Sequence, residues 1–212
     1  MGEFQAMARR SAHTGAELRE LILDAAEGLI ESNGLAGLSA REIAKRIGYS
    51  PGTIYNVFNN LDDVILHVEA RMLDELSERL AAVKNSAEPH AYVHELAQTY
   101  LAFTHEHPKL WNLRFEHHLP VNSEIPVWYK EKLDGLIQAL EGALTPLLHR
   151  PEQGSAERAA RALWAGVHGI TSISTAGKLS SVTTDVAGGL VQDLVTTFLA
   201  GLKAQPLLAR RA

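Results

Sequence analysis

Between Glu17 and Lys203 the apolar residues recur at intervals of three and four and almost never alternate. That period lays them along one side of an α-helix, whereas a half-buried strand needs a period of two. The stretch ELRELILDAAEGLIES is the plainest case, with Leu18, Leu21, Ile22, Ala25, Leu29 and Ile30 on one stripe. Asn33-Gly34 ends it. Ser39 stands three residues before Glu42, the spacing of a capping box in which each side chain meets the other's free backbone N–H. Ser50-Pro51 predicts a third helix with Ser as cap and Pro at its first position. Asn60-Leu61-Asp62-Asp63 predicts a fourth, with two carboxylates at its positive end, running through Leu80 toward Lys84. Further helices are expected over 89–106, 108–119, 126–148, 155–176 and 185–203, their boundaries marked by Pro, Gly, Asn or Ser. The fold class is therefore all-α, with about nine helices.

Composition narrows the chemistry. A chain of 212 residues, 46% hydrophobic and 21% charged, can bury a substantial core. It has no cysteine, which removes disulfides, thiolate metal sites and a cysteine nucleophile, and fits a reducing cytoplasm. No apolar run approaches the roughly 20 residues of a membrane span. The opening MGEFQAMARR has no signal-peptide core, and Met7 is a second candidate start. A net charge of −5 argues against general coating of nucleic acid but leaves room for a local basic patch.

Such a patch lies in AREIAKRIGYSPGTIYNVF, residues 40–58, with Arg41, Lys45 and Arg46. Counted from Ala40, Ala44 is fifth, Gly48 ninth and Ile54 fifteenth. A helix-turn-helix needs a small residue where its helices cross, glycine at the tight turn and an aliphatic packed back on the first helix. Ile43, Ile47, Val57 and Phe58 would complete its core. The same spacing would also suit a plain helical hairpin with a solvated basic face.

With its leading amphipathic helix, Ser-x-x-Glu box, Gly-Tyr-Ser-Pro-Gly-Thr-Ile-Tyr segment and Asp-rich fourth helix, this block resembles the DNA-binding domain of the TetR family of bacterial repressors. WAGVHG, residues 164–169, resembles the Trp-x-x-x-His-Gly segment of one group of that family's C-terminal domains. The resemblance implies a basic arm over 1–16, a helix-turn-helix domain over 17–60 and an effector-binding and dimerisation domain over 61–212. It implies that Arg41 reaches DNA from the second helix, and that Thr53, Tyr55 and Asn56 face the groove behind a leading edge of Ser50, Pro51 and Gly52. Arg41 can contact a phosphate or fork to guanine, Asn56 can pair with adenine, and Tyr55 can donate to a phosphate. Lys45 and Arg46 would contribute charge or simply be solvated. Val57 and Leu61 are apolar where many members carry a DNA-contacting residue, which shifts weight onto Arg41 and Tyr55. Arg9-Arg10 reads either as an arm that follows the phosphates or as a frayed tail.

The resemblance further implies a homodimer, a palindromic double-stranded operator and a small-molecule effector that releases it. The stripe Val186, Leu190, Leu194, Val195, Phe198, Leu199 and Leu202 is wide enough for a second contact, and Gly188, Gly189, Ala200 and Gly201 would admit a neighbouring helix. Phe103, Trp111, Phe115, His117, Trp128, Trp164 and His168 read as pocket candidates for a hydrophobic or aromatic effector, or as core. His168, on an apolar helix, reads in the first place as a buried histidine satisfied by a hydrogen bond. Ten histidines include His90 and His94, four apart, but no His-Glu-x-x-His or Glu-x-x-His set. No metal site or cofactor is assigned. Two other readings stay open: a small all-α metal-dependent enzyme, and a DNA-binding regulator with no small-molecule effector.

Overall fold

The computed structural model describes residues 13–84, 88–120, 124–148, 154–183 and 185–204, apart from the side chains of Phe115 and Ala204. Among them are nine α-helices, three 3-10 turns and no strand. The chain divides into two compact units between Val68 and Glu69. Arg9-Arg10 lies outside the described residues.

The first unit opens with α1, Gly15–Asn33, two residues earlier than its apolar stripe implies. Thr14 is the reason. Its side chain accepts from the Glu17 N–H at 3.2 Å, while the Glu17 carboxylate accepts from the Thr14 N–H at 2.7 Å. The Thr14 N–H, joined by the Thr14 hydroxyl donating at 3.0 Å, holds the Glu17 carboxyl below its ordinary pKa. Ile22, Ala26 and Ile30 on its buried face are fully covered. α2, Ala40–Ile47, is capped by Ser39, whose hydroxyl accepts from the Glu42 N–H at 3.2 Å. The expected reciprocal bond is replaced: the Glu42 carboxylate turns toward Lys45, 3.9 Å away. Gly48 ends α2 with φ 74° and ψ 31°, the left-handed conformation the tight turn requires.

α3 is a single helical turn, Pro51–Ile54, continued by tight backbone bonds from Asn56 to Thr53 and from Phe58 to Ile54. Gly52, β-branched Thr53 and Ile54, and then Asn56 and Val57 are weak helix formers, so packing rather than propensity holds this turn. Ser50 occupies the cap position, but its hydroxyl bonds the Thr53 hydroxyl at 3.0 Å and leaves the backbone N–H groups uncapped. Ile43, Ala44, Ile54 and Phe58 are buried, and Ile47 and Val57 half-buried. α4, Leu61–Ala82, starts where Asn60 accepts from the Asp63 N–H at 2.8 Å. The Arg19 guanidinium lies 4.5 Å over the Phe58 ring and donates to His67 at 2.6 Å, tying α1 to the segment after α3 and to α4.

In the second unit α5, Pro89–Glu106, α7, Val127–Leu144, α8, Ser155–Thr175, and α9, Ala187–Ala204, pack on one another, with α6, Pro108–Glu116, against α5 and α8. The inward stripe of α9 is Val191, Val195 and Leu199, at a spacing of four. Close approach of α8 and α9 depends on Gly166, where a Cβ would stand 2.8 Å from a Leu194 methyl. Gly189 and Gly201, which the sequence offers to a neighbouring helix at a dimer surface, meet nothing within 4 Å in this chain.

Candidate functional site

Two places in the chain gather the residues that its sequence singles out. The first is the outer face of α2 and α3. Arg41 and Lys45 stand one helical turn apart on α2, both exposed. Pro51, Gly52, Tyr55 and Asn56 are exposed and Thr53 is half-buried, with Tyr55 54% accessible despite its size. An aromatic left open beside basic groups and helix ends is suited to contact with a charged backbone. The Arg46 guanidinium lies instead against α1, where a Cβ on Gly28 would come within 2.7 Å of it. The Tyr49 hydroxyl is held at 2.6 Å by His13 Nδ1.

The second place is a cavity of about 460 Å³ within the C-terminal unit, inside the size range of small-molecule sites. Leu76 and Leu80 of α4, Val93 and Leu96 of α5 and Leu133, Leu136, Ile137 and Leu140 of α7 make it largely apolar. Tyr100, Trp111 and Trp164 supply aromatic walls, and Arg114, Lys130, Asp134 and Arg161 supply charge. Arg161 is 2.9 Å from Glu157 and 3.8 Å from Asp134.

Tyr100 meets Trp111 edge-on at 5.3 Å, and Trp164 stacks on His168 at 5.0 Å with their planes 12° apart. The Tyr100 hydroxyl is bonded to His168 Nδ1 at 2.7 Å, and His168 Nε2 to the Ser172 hydroxyl at 2.9 Å. Burial pushes the Tyr100 phenol well up, with the Arg114 charge and a hydrogen bond from Trp164 acting the other way. Burial, with a smaller contribution from Arg114, pushes His168 down to about 4. With its folded pKa below the unfolded value of 6.5, the unfolded chain takes up the proton first. Stability should therefore fall as pH drops from about 6.5 to about 4 and gain no further loss from this group below that. Denaturant titrations across that window should show a slope of up to about one proton that His168→Gln flattens.

Of the sequence candidates, Trp111 and Trp164 line the cavity, and His168 backs it through Tyr100. Three others stand elsewhere. Phe103 is fully buried, with the Arg79 guanidinium 4.9 Å over its ring and Trp111 edge-on to it. His117 turns to Glu69, Nδ1 to Oε1 3.4 Å, where the second carboxylate oxygen accepts from the Tyr129 hydroxyl at 2.5 Å. Trp128 packs edge-on against Tyr129. The buried Glu69 accounts for His117 and for Tyr129 of α7: a carboxylate 5% exposed draws the nearest donors toward itself. The side chain of Phe115 lies outside what is described. His90 and His94 diverge, one toward Glu88 and the other toward Thr196, and no group of three metal-ligating side chains occurs among the described residues. Arg114 had not been singled out for the cavity, whereas Tyr100 belongs to the central aromatic cluster of the sequence and does line it. No described helix is long and apolar enough to cross a membrane.

Comparison with known proteins agrees with this architecture at both ends. Residues 93–198 match the tetracyclin repressor-like C-terminal domain, and residues 22–68 match the bacterial regulatory proteins of the tetR family. An uncharacterized HTH-type transcriptional regulator of Mycobacterium tuberculosis, Rv0681, is 22% identical over 190 residues, spanning 87% of this chain and 81% of that protein. A protein of unknown function from Rhodococcus sp. RHA1 superposes with a TM-score of 0.74 at 22% identity, over 92% of this chain and 99% of the other. Thermus thermophilus FadR, a TetR-family repressor solved in complex with lauroyl-CoA, superposes with a TM-score of 0.64 at 22% identity, over 92% and 97% of the two chains. The chain belongs to the TetR family: it is a transcriptional regulator with a helix-turn-helix DNA-binding domain.

Proposed function

We propose that the protein is a repressor that binds a palindromic operator as a homodimer and leaves it when a hydrophobic small molecule fills the C-terminal cavity. The observation that carries this reading is the apolar, aromatic-walled cavity in the unit that follows the helix-turn-helix. Arg41, Lys45, Thr53, Tyr55 and Asn56 read the DNA, with Ser50, Pro51 and Gly52 as the leading edge of the recognition turn. Two recognition turns spaced by roughly 34–36 Å would meet successive major grooves on one side of the duplex.

The dimer is supported by the outer side of α8 and α9. Leu194 lies over Gly166, so the half-buried stripe Leu190, Leu194 and Phe198 adjoins the small residues Ala162, Ala165 and Gly169 of α8. A second copy would cover apolar surface there while its helices approach closely. Trp164, His168 and Gly169 stand in this α8 segment as in the Trp-x-x-x-His-Gly group, and we place the C-terminal domain with it. An aliphatic effector is favoured over a flat aromatic one by the leucine and isoleucine lining, and by the acyl thioester that the Thermus thermophilus protein holds.

Release follows from population shift: a ligand that fits the arrangement poorly matched to DNA draws the protein into it. α4, which starts in the first unit and continues into the second, is the lever. Fluorescence anisotropy with a duplex selected by the protein tests this. Ligands that fill the cavity should weaken DNA binding, and the same duplex should weaken those ligands by the same factor. Ligand binding that leaves the DNA affinity unchanged contradicts it.

A further inference from the structure

We propose that the cavity takes a single-chain amphiphile with a carboxylate head, bound by the Arg114 guanidinium and the Trp111 indole N–H, with the tail along α4 and α7. This rests on reading the cavity as the effector site and goes beyond it by fixing the ligand's charge and orientation.

Trp111 is 4% exposed, lines the cavity, and has no hydrogen-bond partner for its Nε1. A buried donor without an acceptor is unfavourable, so an acceptor brought by a ligand removes a cost that the empty cavity carries. Arg114 follows three residues later on α6, the spacing that puts two side chains on neighbouring positions of one helix face. It is half-buried on the cavity wall and ion-pairs with no carboxylate among the described residues.

The groups that feel its charge are Tyr100, Tyr129 and His168. All three are uncharged near neutral pH, since burial raises both phenols and lowers the imidazole. Among the described residues the cation thus has no ion-pair partner, the buried Glu69 carboxylate near Tyr129 being engaged by Tyr129 and His117. The other charges do not change this: Arg161 is engaged by Glu157 and Asp134, and Lys130 is exposed at the edge. A carboxylate can accept from the indole with one oxygen and from the guanidinium with the other. The remaining lining, Leu76, Leu80, Leu133, Leu136, Ile137 and Leu140, offers no polar side chain and suits an aliphatic tail.

Isothermal titration calorimetry of the intact protein at neutral pH with decanoate, 1-decanol and decyltrimethylammonium tests the inference. Decanoate should bind at least about tenfold tighter than decanol, as expected for a charge-assisted contact, and the cation weakest of all. Octanoate should lose about fourfold per missing methylene. Arg114→Met should bring decanoate down to the level of decanol, whereas Trp111→Phe should weaken acid and alcohol alike, since either oxygen accepts from the indole. Circular dichroism melts of both variants establish that they are folded. Equal binding of decanoate and decanol by the unaltered protein, or an Arg114→Met effect of the same size on both, overturns the carboxylate assignment and leaves the cavity as a ligand site. Failure of all three probes to bind overturns the cavity reading as well.

Discussion

Ala44→Leu should cost the protein its operator affinity by an order of magnitude or more while the C-terminal cavity still binds decanoate. Ala44 is 1% exposed on α2, which packs on both α1 and α3. An isobutyl side chain in place of the methyl there must displace its buried neighbours or lift α2 from α1 or α3. Overpacking of this kind costs about 1–3 kcal/mol. A unit this small has little stability in reserve, so much of that cost becomes opening of the recognition turn. Anisotropy with the selected duplex and calorimetry with decanoate read the two units separately. Unimpaired DNA binding would mean that the crossing of α1, α2 and α3 is looser than the burial of Ala44 implies.

Arg41→Ala is the second large effect. Arg41 is exposed in the first turn of α2, so its removal leaves the core untouched. A fork to guanine would be worth about 1–3 kcal/mol, or roughly fivefold to 150-fold in affinity, and its loss would relax specificity at one position of each half-site. A phosphate contact would instead weaken all sequences alike and lower the salt slope by about one. Binding isotherms at several salt concentrations distinguish the two roles. Tyr55→Phe should act in the second way only, through the loss of one phosphate donor, and by a smaller factor. An Arg41→Ala protein that binds as tightly as the parent at every salt concentration would remove this residue from the interface.

The helix-turn-helix was legible because its determinants are local. Ala44, Gly48 and Ile54 lie at fixed spacings, and each has a reason that does not depend on the rest of the chain: burial at a crossing, a positive φ, a contact back to the first helix. Thr14 and Glu17 carried the same kind of signal, a capping box in plain view, yet the apolar stripe drew the boundary to Glu17. The short α3 is also readable afterwards in Gly52, Thr53 and Asn56, though Ser-Pro looked like the start of a full helix.

The cavity was legible only in part. Trp111 and Trp164 belong to it, but Phe103 and Trp128 have the same composition and the same helical spacing and pack elsewhere. What separates them is tertiary. A guanidinium, Arg79, covers Phe103, and a buried carboxylate, Glu69, gathers Tyr129 and His117. Arg114 is a single charge on a short helix that no spacing or motif singles out. Its significance comes from the neutral company it keeps, which no one-dimensional pattern records.

Selection from a random duplex pool with the purified protein, followed by sequencing of the bound fraction, tests the central claim most directly. The expected result is an enriched palindrome with half-sites about one helical turn apart, lost when Arg41 is replaced by alanine. No enrichment at low salt, where phosphate contacts are strongest, would contradict the account of this chain as a dimeric reader of DNA sequence.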